Sequence, residues 1–231
     1  MCSTTLTAPS LLHSTSPLFL MNLPDNRKYS PATQRNREPI LEILQQVLPP
    51  EGTVLEISSG TGEHAVFFSP HLNPRIWQPS EPYARSRSSV VAWIEHLPAD
   101  NIRLPLDIDA RATVWAVESD TSLQLDPPIN AIVNINMIHI SPWAACLGLM
   151  AGANRILPSG GILYLYGPYK QDGKHTAPSN EAFDASLRAQ NPEWGVRNLE
   201  DVIAAADKEN LTCLRTHQMP ANNLSVVFQH G

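Results

Sequence analysis

The sequence predicts an α/β fold, a mostly parallel sheet with helices on both faces. Three observations predict it. Short β-branched runs alternate with helical segments through the middle of the chain. The segments between them place apolar residues along one side, as Val90, Val91 and Ile94 do within Tyr83–His96. The last two runs are separated only by Met219-Pro220-Ala221-Asn222-Asn223. That gap is too short for a helical crossover, so this pair closes the sheet as an antiparallel hairpin.

Taken in order, residues 1–21 are rich in Ser, Thr, Pro and Leu and carry no acid, Lys or Arg. Without a positive n-region they do not read as a secretory signal, and without arginines they do not read as a transit peptide. The expectation is a disordered tail over residues 1–26, with Met21 as an alternative start, and one domain over 27–231. Arg27 to Arg37 is a basic stretch. A helix follows it, with Ile40, Leu41, Ile43, Leu44, Val47 and Leu48 forming one stripe, stopped by Pro49-Pro50. Thr53–Ser58 is the first strand, Ser59-Gly60-Thr61-Gly62 a turn, and His64 to Phe68 the start of a helix. Arg75–Gln78 and Ile102–Leu106 are the second and third strands, with the Tyr83–His96 helix between them. Ala112–Val117 is a short helix and Ile129–Ile135 the fourth strand. Trp143–Leu157 is a helix ended by Pro158-Ser159-Gly160-Gly161, and Ile162–Tyr166 is the fifth strand. Asn198–Asn210 is the last helix, before the Leu211–Gln218 and Leu224–Gln229 strands. Twenty-one prolines punctuate these elements.

Composition bounds the function. Hydrophobic residues make up 42% of 231, enough for a sizeable core and too many for a disordered chain. The net charge of −6 and the lack of a long basic run disfavour a nucleic-acid or anionic-membrane binder and favour a small-molecule partner. No apolar run approaches the ~18 residues of a membrane span. Three cysteines without zinc spacing point away from a metal site or a disulfide scaffold, and toward a reducing, cytoplasmic setting. Oligomeric state is open.

In such a sheet, ligands bind beyond the carboxyl ends of the strands. After the first strand comes Glu56-Ile57-Ser58-Ser59-Gly60-Thr61-Gly62-Glu63-His64, whose glycines let the backbone approach a ligand. Glu81 follows the second strand, where an acid accepts hydrogen bonds from ribose hydroxyls. Asp107 and Ile108 follow the third, placed for an adenine amine and ring. Asn134, Asn136 and His139 follow the fourth; Tyr166, Gly167 and Tyr169 follow the fifth. Each also has a plain structural reading. The Gly60/Gly62 loop is then an ordinary turn, Glu81 a helix cap, Asp107 an N-terminal acid and His139 a structural histidine. Tyr166 and Tyr169 are then core aromatics, and Arg35 and Arg37 solvated charges. Three successive strands ending in acids favour a nucleoside. Glu56 and Glu63 would repel a pyrophosphate and suit an ammonium and a sulfonium, which points to S-adenosylmethionine.

Residues 53–62 resemble the first motif of seven-stranded S-adenosylmethionine-dependent methyltransferases, with Ser58 where that motif has its first glycine. A serine fits there if its backbone angles are ordinary. Four segments are similar to the methyltransferase-like 26 family, also called domain of unknown function 938: Ser30 to Ile40, Leu55 to Ala65, Trp77 to Glu81, and Asn136 to Trp143. Tyr166 to Lys170, Asn180 to Arg188, Trp194-Gly195 and Met219 to Leu224 match as well, so the resemblance spans about residues 27–230. It implies a Rossmann-like class I methyltransferase fold with strand order 3-2-1-4-5-7-6, and S-adenosylmethionine as cofactor. It supplies no acceptor.

On this reading Ser58, Gly60 and Gly62 contact the methionine part, Glu56 lies near the ammonium, and Arg35 takes the carboxylate. Glu81 takes the ribose, Asp107 and Ile108 the adenine, and Asn136 approaches the methyl. His139 is the base if one is needed. Tyr166, Tyr169 and Asn180 line the acceptor pocket, and Pro168–Gly195 is a lid that sets substrate choice. The alternatives are a non-catalytic S-adenosylmethionine-binding or partner protein, and a nicotinamide-dependent reductase. The reductase would need a third glycine in the loop and a parallel last strand.

Overall fold

A computed structural model describes residues 25–120, 122–123 and 125–231. The expected tail lies outside these residues except for Asp25 and Asn26. The first helix, α1, spans Pro31–Val47, well ahead of the apolar stripe that signals it. Pro31 takes the first helical position, where its missing N–H and fixed φ are favourable. Pro39 inside the helix hides this continuity in the sequence, because it removes one backbone bond. The chain then alternates as β1 (Thr53–Ile57), α2 (Glu63–His71), β2 (Ile76–Ser80), α3 (Ala84–His96), the one-turn α4 (Ala116–Ser119), β3 (Ile129–Ile135), α5 (Trp143–Ile156) and β4 (Ile162–Gly167).

After β4 the expected lid folds into its own small layer of β5 (Tyr169–Gln171), β6 (Lys174–His175) and α6 (Pro178–Gln190). β7 (Arg197–Asn198) joins β5 and β6 in a three-stranded sheet, in the order β6-β5-β7. Asp184 of α6 clamps this layer. Its buried carboxylate meets Lys170 at 3.1 Å, His175 at 3.3 Å and Arg188 at 3.1 Å, and accepts the Val196 N–H at 2.8 Å. α7 (Leu199–Asp207) leads to β8 (Leu211–Met219) and β9 (Asn223–His230).

The main sheet runs β2-β1-β3-β4-β9-β8. β2, β1, β3 and β4 are parallel, and β9 is antiparallel to both β4 and β8, which is the expected hairpin. One face packs on α1 and α2 through Ile40, Leu44, Phe68 and Trp77. The other packs on α5 and α7 through Leu149, Ala153, Val202 and Phe228. Among the described residues no helix is long and apolar enough to cross a membrane.

The expected third strand is reduced to two bridges beside β2, Trp77 to Ile102 and Ser80 to Leu106. Trp77 N–H donates to Asn101 and Arg103 N–H donates to Trp77, and the ladder resumes when Leu106 N–H donates to Pro79. Between them, both donors the ladder requires would come from Pro79 and Pro105, which have none. The Gln78 amide fills the gap, donating to Leu104 O at 2.8 Å and Pro79 O at 3.0 Å.

Candidate functional site

Sheet order reverses between β1 and β3, and a cleft of about 730 Å3 opens above their carboxyl ends. Glu56, the penultimate residue of β1, is buried and lines it. Its carboxylate accepts the Ser59 hydroxyl at 2.7 Å and the Trp77 indole N–H at 3.1 Å. Burial pushes the Glu56 carboxyl up to about 7, while those two hydrogen bonds pull it down and Glu81 adds to the rise. Glu81, just beyond β2, accepts the Gly60 N–H at 3.0 Å on one oxygen and the Tyr83 N–H at 3.1 Å on the other. It therefore holds the residue that precedes α3 without capping the helix itself, and it ties the β1 loop to the β2 loop. A carboxylate has lone pairs for further donors, so neither bond closes it to a ligand. Burial raises Glu81 above the ordinary carboxylate range, against the Tyr83 and Gly60 amides and the Lys28 and Arg87 cations.

The turn between β1 and α2 is left-handed at three positions: Ser58 at φ +61°, Gly60 at +58° and Gly62 at +92°. The condition of ordinary backbone angles at Ser58 is thus not met. The serine occupies a conformation that costs an L-residue about 1–2 kcal/mol. The glycines differ in purpose. A Cβ on Gly62 would sit 2.7 Å from the α3 backbone at Val90, so Gly62 lets the loop pack down. A Cβ on Gly60 would meet nothing within 4 Å, so its bare face looks into open space. Glu63 fastens the loop to the N-terminal segment by accepting the Ser30 N–H at 2.5 Å and the Thr61 hydroxyl at 3.0 Å.

A second cavity, of about 590 Å3, adjoins the first, and Ser30, Asn136 and Ile140 line both. Asn136 follows β3 at φ +61°. His139, Tyr166, Asn180 and Arg35 line the second cavity. His139 is buried, and its ring makes no hydrogen bond among the described residues. Burial, then Arg197, holds it down to about 4, so it is a neutral imidazole at neutral pH. Phe183 stands edge-on to it at 5.6 Å. The Tyr166 hydroxyl meets the side chains of Asn36 and Asn223, while burial raises its pKa. His64 extends this contact toward the first cavity. Its buried, neutral ring donates Nε2–H to Asn36 Oδ1 at 2.8 Å. Asn180 is fixed by bonds to Thr176 and to the Asn222 carbonyl.

The structure therefore brings Glu56, Ser58, Gly60, Glu81 and Asn136 to one cleft. Gly62, expected at the ligand, does not line it and packs against α3 at Val90 instead. Four other expected placements are corrected. Asp107 points outward, 65% exposed, and pairs with Arg87 at 2.9 Å. Ile108 is buried in the core beneath α5. Asp109 and Ala110 line the cleft in their stead. Tyr169 is packed into the α5 and α7 core with its hydroxyl unpartnered, because β5 starts straight after the Gly167-Pro168 turn and carries the ring below the sheet. Arg35 lies in the second cavity and does not line the first, beside the Gly60 loop. Trp194, expected within the Pro168–Gly195 lid, lines the first cavity. Sequence reasoning singled out neither Asp109, Asn36 nor Phe183; Asp109 had a signal in its place two residues after Asp107, and Phe183 in its place within the expected lid.

The family described as protein of unknown function (DUF938) matches residues 27–230, and the chain belongs to it. Among solved structures, it resembles the mitomycin 7-O-methyltransferase MmcR, with 12% identity and a TM-score of 0.69, covering 87% of this chain and 54% of that one. It resembles an O-methyltransferase family protein from Burkholderia thailandensis with 10% identity and a TM-score of 0.67, covering 84% and 56%. The S-adenosylhomocysteine-bound form of CalO1, a methyltransferase in calicheamicin biosynthesis, gives 13%, 0.64, 84% and 54%. The chain thus spans little more than half the length of these neighbours. They establish its fold as the Rossmann-like class I methyltransferase fold.

Proposed function

We propose that this member of the DUF938 family, read more narrowly as methyltransferase-like 26, transfers a methyl group from S-adenosylmethionine to a small-molecule acceptor. The observation that carries the reading is the pairing of Glu56 and Glu81 at the ends of neighbouring strands, in a cleft that meets a second cavity at Asn136. The neighbours' names support it, and so does the S-adenosylhomocysteine held by one of them.

The residues present fit the ligand. Gly60 turns a bare backbone face toward open space where a side chain would intrude. Glu56 faces the ammonium, Glu81 the ribose hydroxyls, and Asp109, in place of Asp107, the adenine end. When bound, S-adenosylmethionine supplies an electrophilic methyl on sulfur. The chain's own work is positioning. Asn136 lines both cavities, where donor and acceptor would meet, and Trp194 and Phe183, from the expected lid, line the first and the second respectively. His139 is the available base, and Tyr166 orients the acceptor.

The test is calorimetric titration with S-adenosylhomocysteine, followed by radiolabelled methyl transfer into fractionated metabolites. One-to-one binding lost in Glu81→Ala, together with transfer slowed in His139→Ala at unchanged cofactor affinity, is the expected result. Failure to bind ends the proposal. Binding without any transfer leaves a non-catalytic cofactor-binding protein.

A further inference from the structure

The second cavity has a chemistry of its own. Ala32, Arg35 and Asn36 recur at helical spacing, so one face of α1 forms its wall. The Arg35 guanidinium has no hydrogen bond or ion pair among the described residues. Other arginines near the two cavities are engaged: Arg111 is held by Asp109, Arg188 by Asp184, and Arg197 by the carbonyls of Ile138, Ser141 and Glu193. The cavity lining contains no Asp, Glu or Lys, in a chain whose net charge is −6. Its polar groups are mostly side-chain amides, and five asparagines contribute to it. A lone, unneutralised guanidinium in an acid-free cavity favours an anion, and its planar fork matches a carboxylate. The rest of the wall is apolar. Phe183 is 40% exposed beside His139, with Ile140, Pro168 and Pro220 around it.

We infer that the acceptor is a small carboxylic acid with a planar apolar body, its carboxylate held by Arg35 and its body lying against Phe183. The inference rests on the reading of the first cavity as the donor site. It does not depend on that site being filled.

The test titrates cinnamate, phenylacetate and 4-hydroxybenzoate, and the neutral amide of each, into the protein with and without S-adenosylhomocysteine. The expected result is saturable binding of at least one acid, tenfold or more tighter than its amide. Arg35→Gln should reduce that acid to the level of its amide, while Arg85→Gln, which removes an exposed charge elsewhere, should leave it unchanged. No acid preferred over its amide, or unchanged acid affinity in Arg35→Gln, overturns the inference. Failure of S-adenosylhomocysteine to bind would instead count against the proposed methyl transfer, and acid selectivity in the free protein would still decide this point.

Discussion

The two cavities share Ser30, Asn136 and Ile140 and differ in almost everything else. The first is acidic, lined by Glu56, Glu81, Asp109 and Glu193 against the single cation Arg111. The second contains one cation and no acid. The first is built mainly from short loops at successive strand ends. The second is assembled from α1, the β3 loop, the end of β4, α6 and the β8–β9 turn. The lesson is that the scaffold fixes the first cavity through local backbone geometry, whereas distant segments converge to define the second. If the proposed roles hold, variation in α6 or the hairpin turn changes the acceptor without disturbing the cleft.

The largest expected effect separates the two glycines of the β1 loop. Gly62→Ala places a Cβ against the Val90 backbone at a left-handed φ, and should destabilise the protein by about 2–4 kcal/mol in urea unfolding. Gly60→Ala meets no neighbour, so it should cost only about 1 kcal/mol while still blocking cofactor binding. Equal unfolding costs would show that the loop does not rest on α3 as described.

Glu81→Gln comes next. It should weaken S-adenosylhomocysteine binding by about 2–3 kcal/mol, roughly 30- to 150-fold, because a charge-assisted acceptor is lost. Affinity for acids in the second cavity should not change. A parallel loss in both cavities would break the distinction between them.

The pH responses of the two regions also differ. His139 stays neutral in the fold down to about 4, whereas an unfolded histidine takes up a proton near 6.5. Between these values the unfolded state binds more protons, so His139 contributes stability that is present above about 6.5 and lost as pH falls. His139→Gln should reduce the slope of stability against pH in that window by up to about 1.4 kcal/mol per unit. An unchanged slope would mean that the imidazole is not buried as described.

The smallest effect is expected at Ser58. Ser58→Gly relieves a left-handed serine and adds freedom to the unfolded chain, so the two changes nearly cancel to a gain of about 0.5 kcal/mol. A clear loss of stability would give the serine side chain a structural role of its own.

The same contrast explains how much the sequence disclosed. The β1 loop is legible because its glycines, Glu56 and the following helix are contiguous, and Glu81 because it is the first acid after the second strand. The C-terminal hairpin was legible from the length of its turn. Asp109 was obscured because Pro79 and Pro105 interrupt the ladder and blur where that strand ends. Tyr169 reads from sequence as part of the loop after the fifth strand, whereas a new strand, β5, starts at Tyr169 itself and takes its ring into the core. Arg35 is assigned to the cofactor carboxylate on the expectation that the N-terminal segment folds over the first pocket, and nothing in the basic stretch shows which cavity it reaches. Once α1 starts at Pro31, helical spacing sets Arg35 beside Asn36 over the second cavity. The bond from Asn36 to His64 joins elements 28 residues apart, and nothing in either segment alone announces it.

The most direct test of the central claim, that the paired carboxylates receive the ammonium and ribose of an adenosyl ligand, is calorimetry with S-adenosylhomocysteine at pH 6 and pH 8 in buffers of different ionisation enthalpy. Glu56 sits at about 7 in the free protein, and an ammonium favours its ionised form. Binding should therefore release protons at pH 6 and tighten toward pH 8, by up to about tenfold per pH unit below 7. Absence of binding at both values, or an affinity indifferent to pH and to Glu81→Gln, would contradict it.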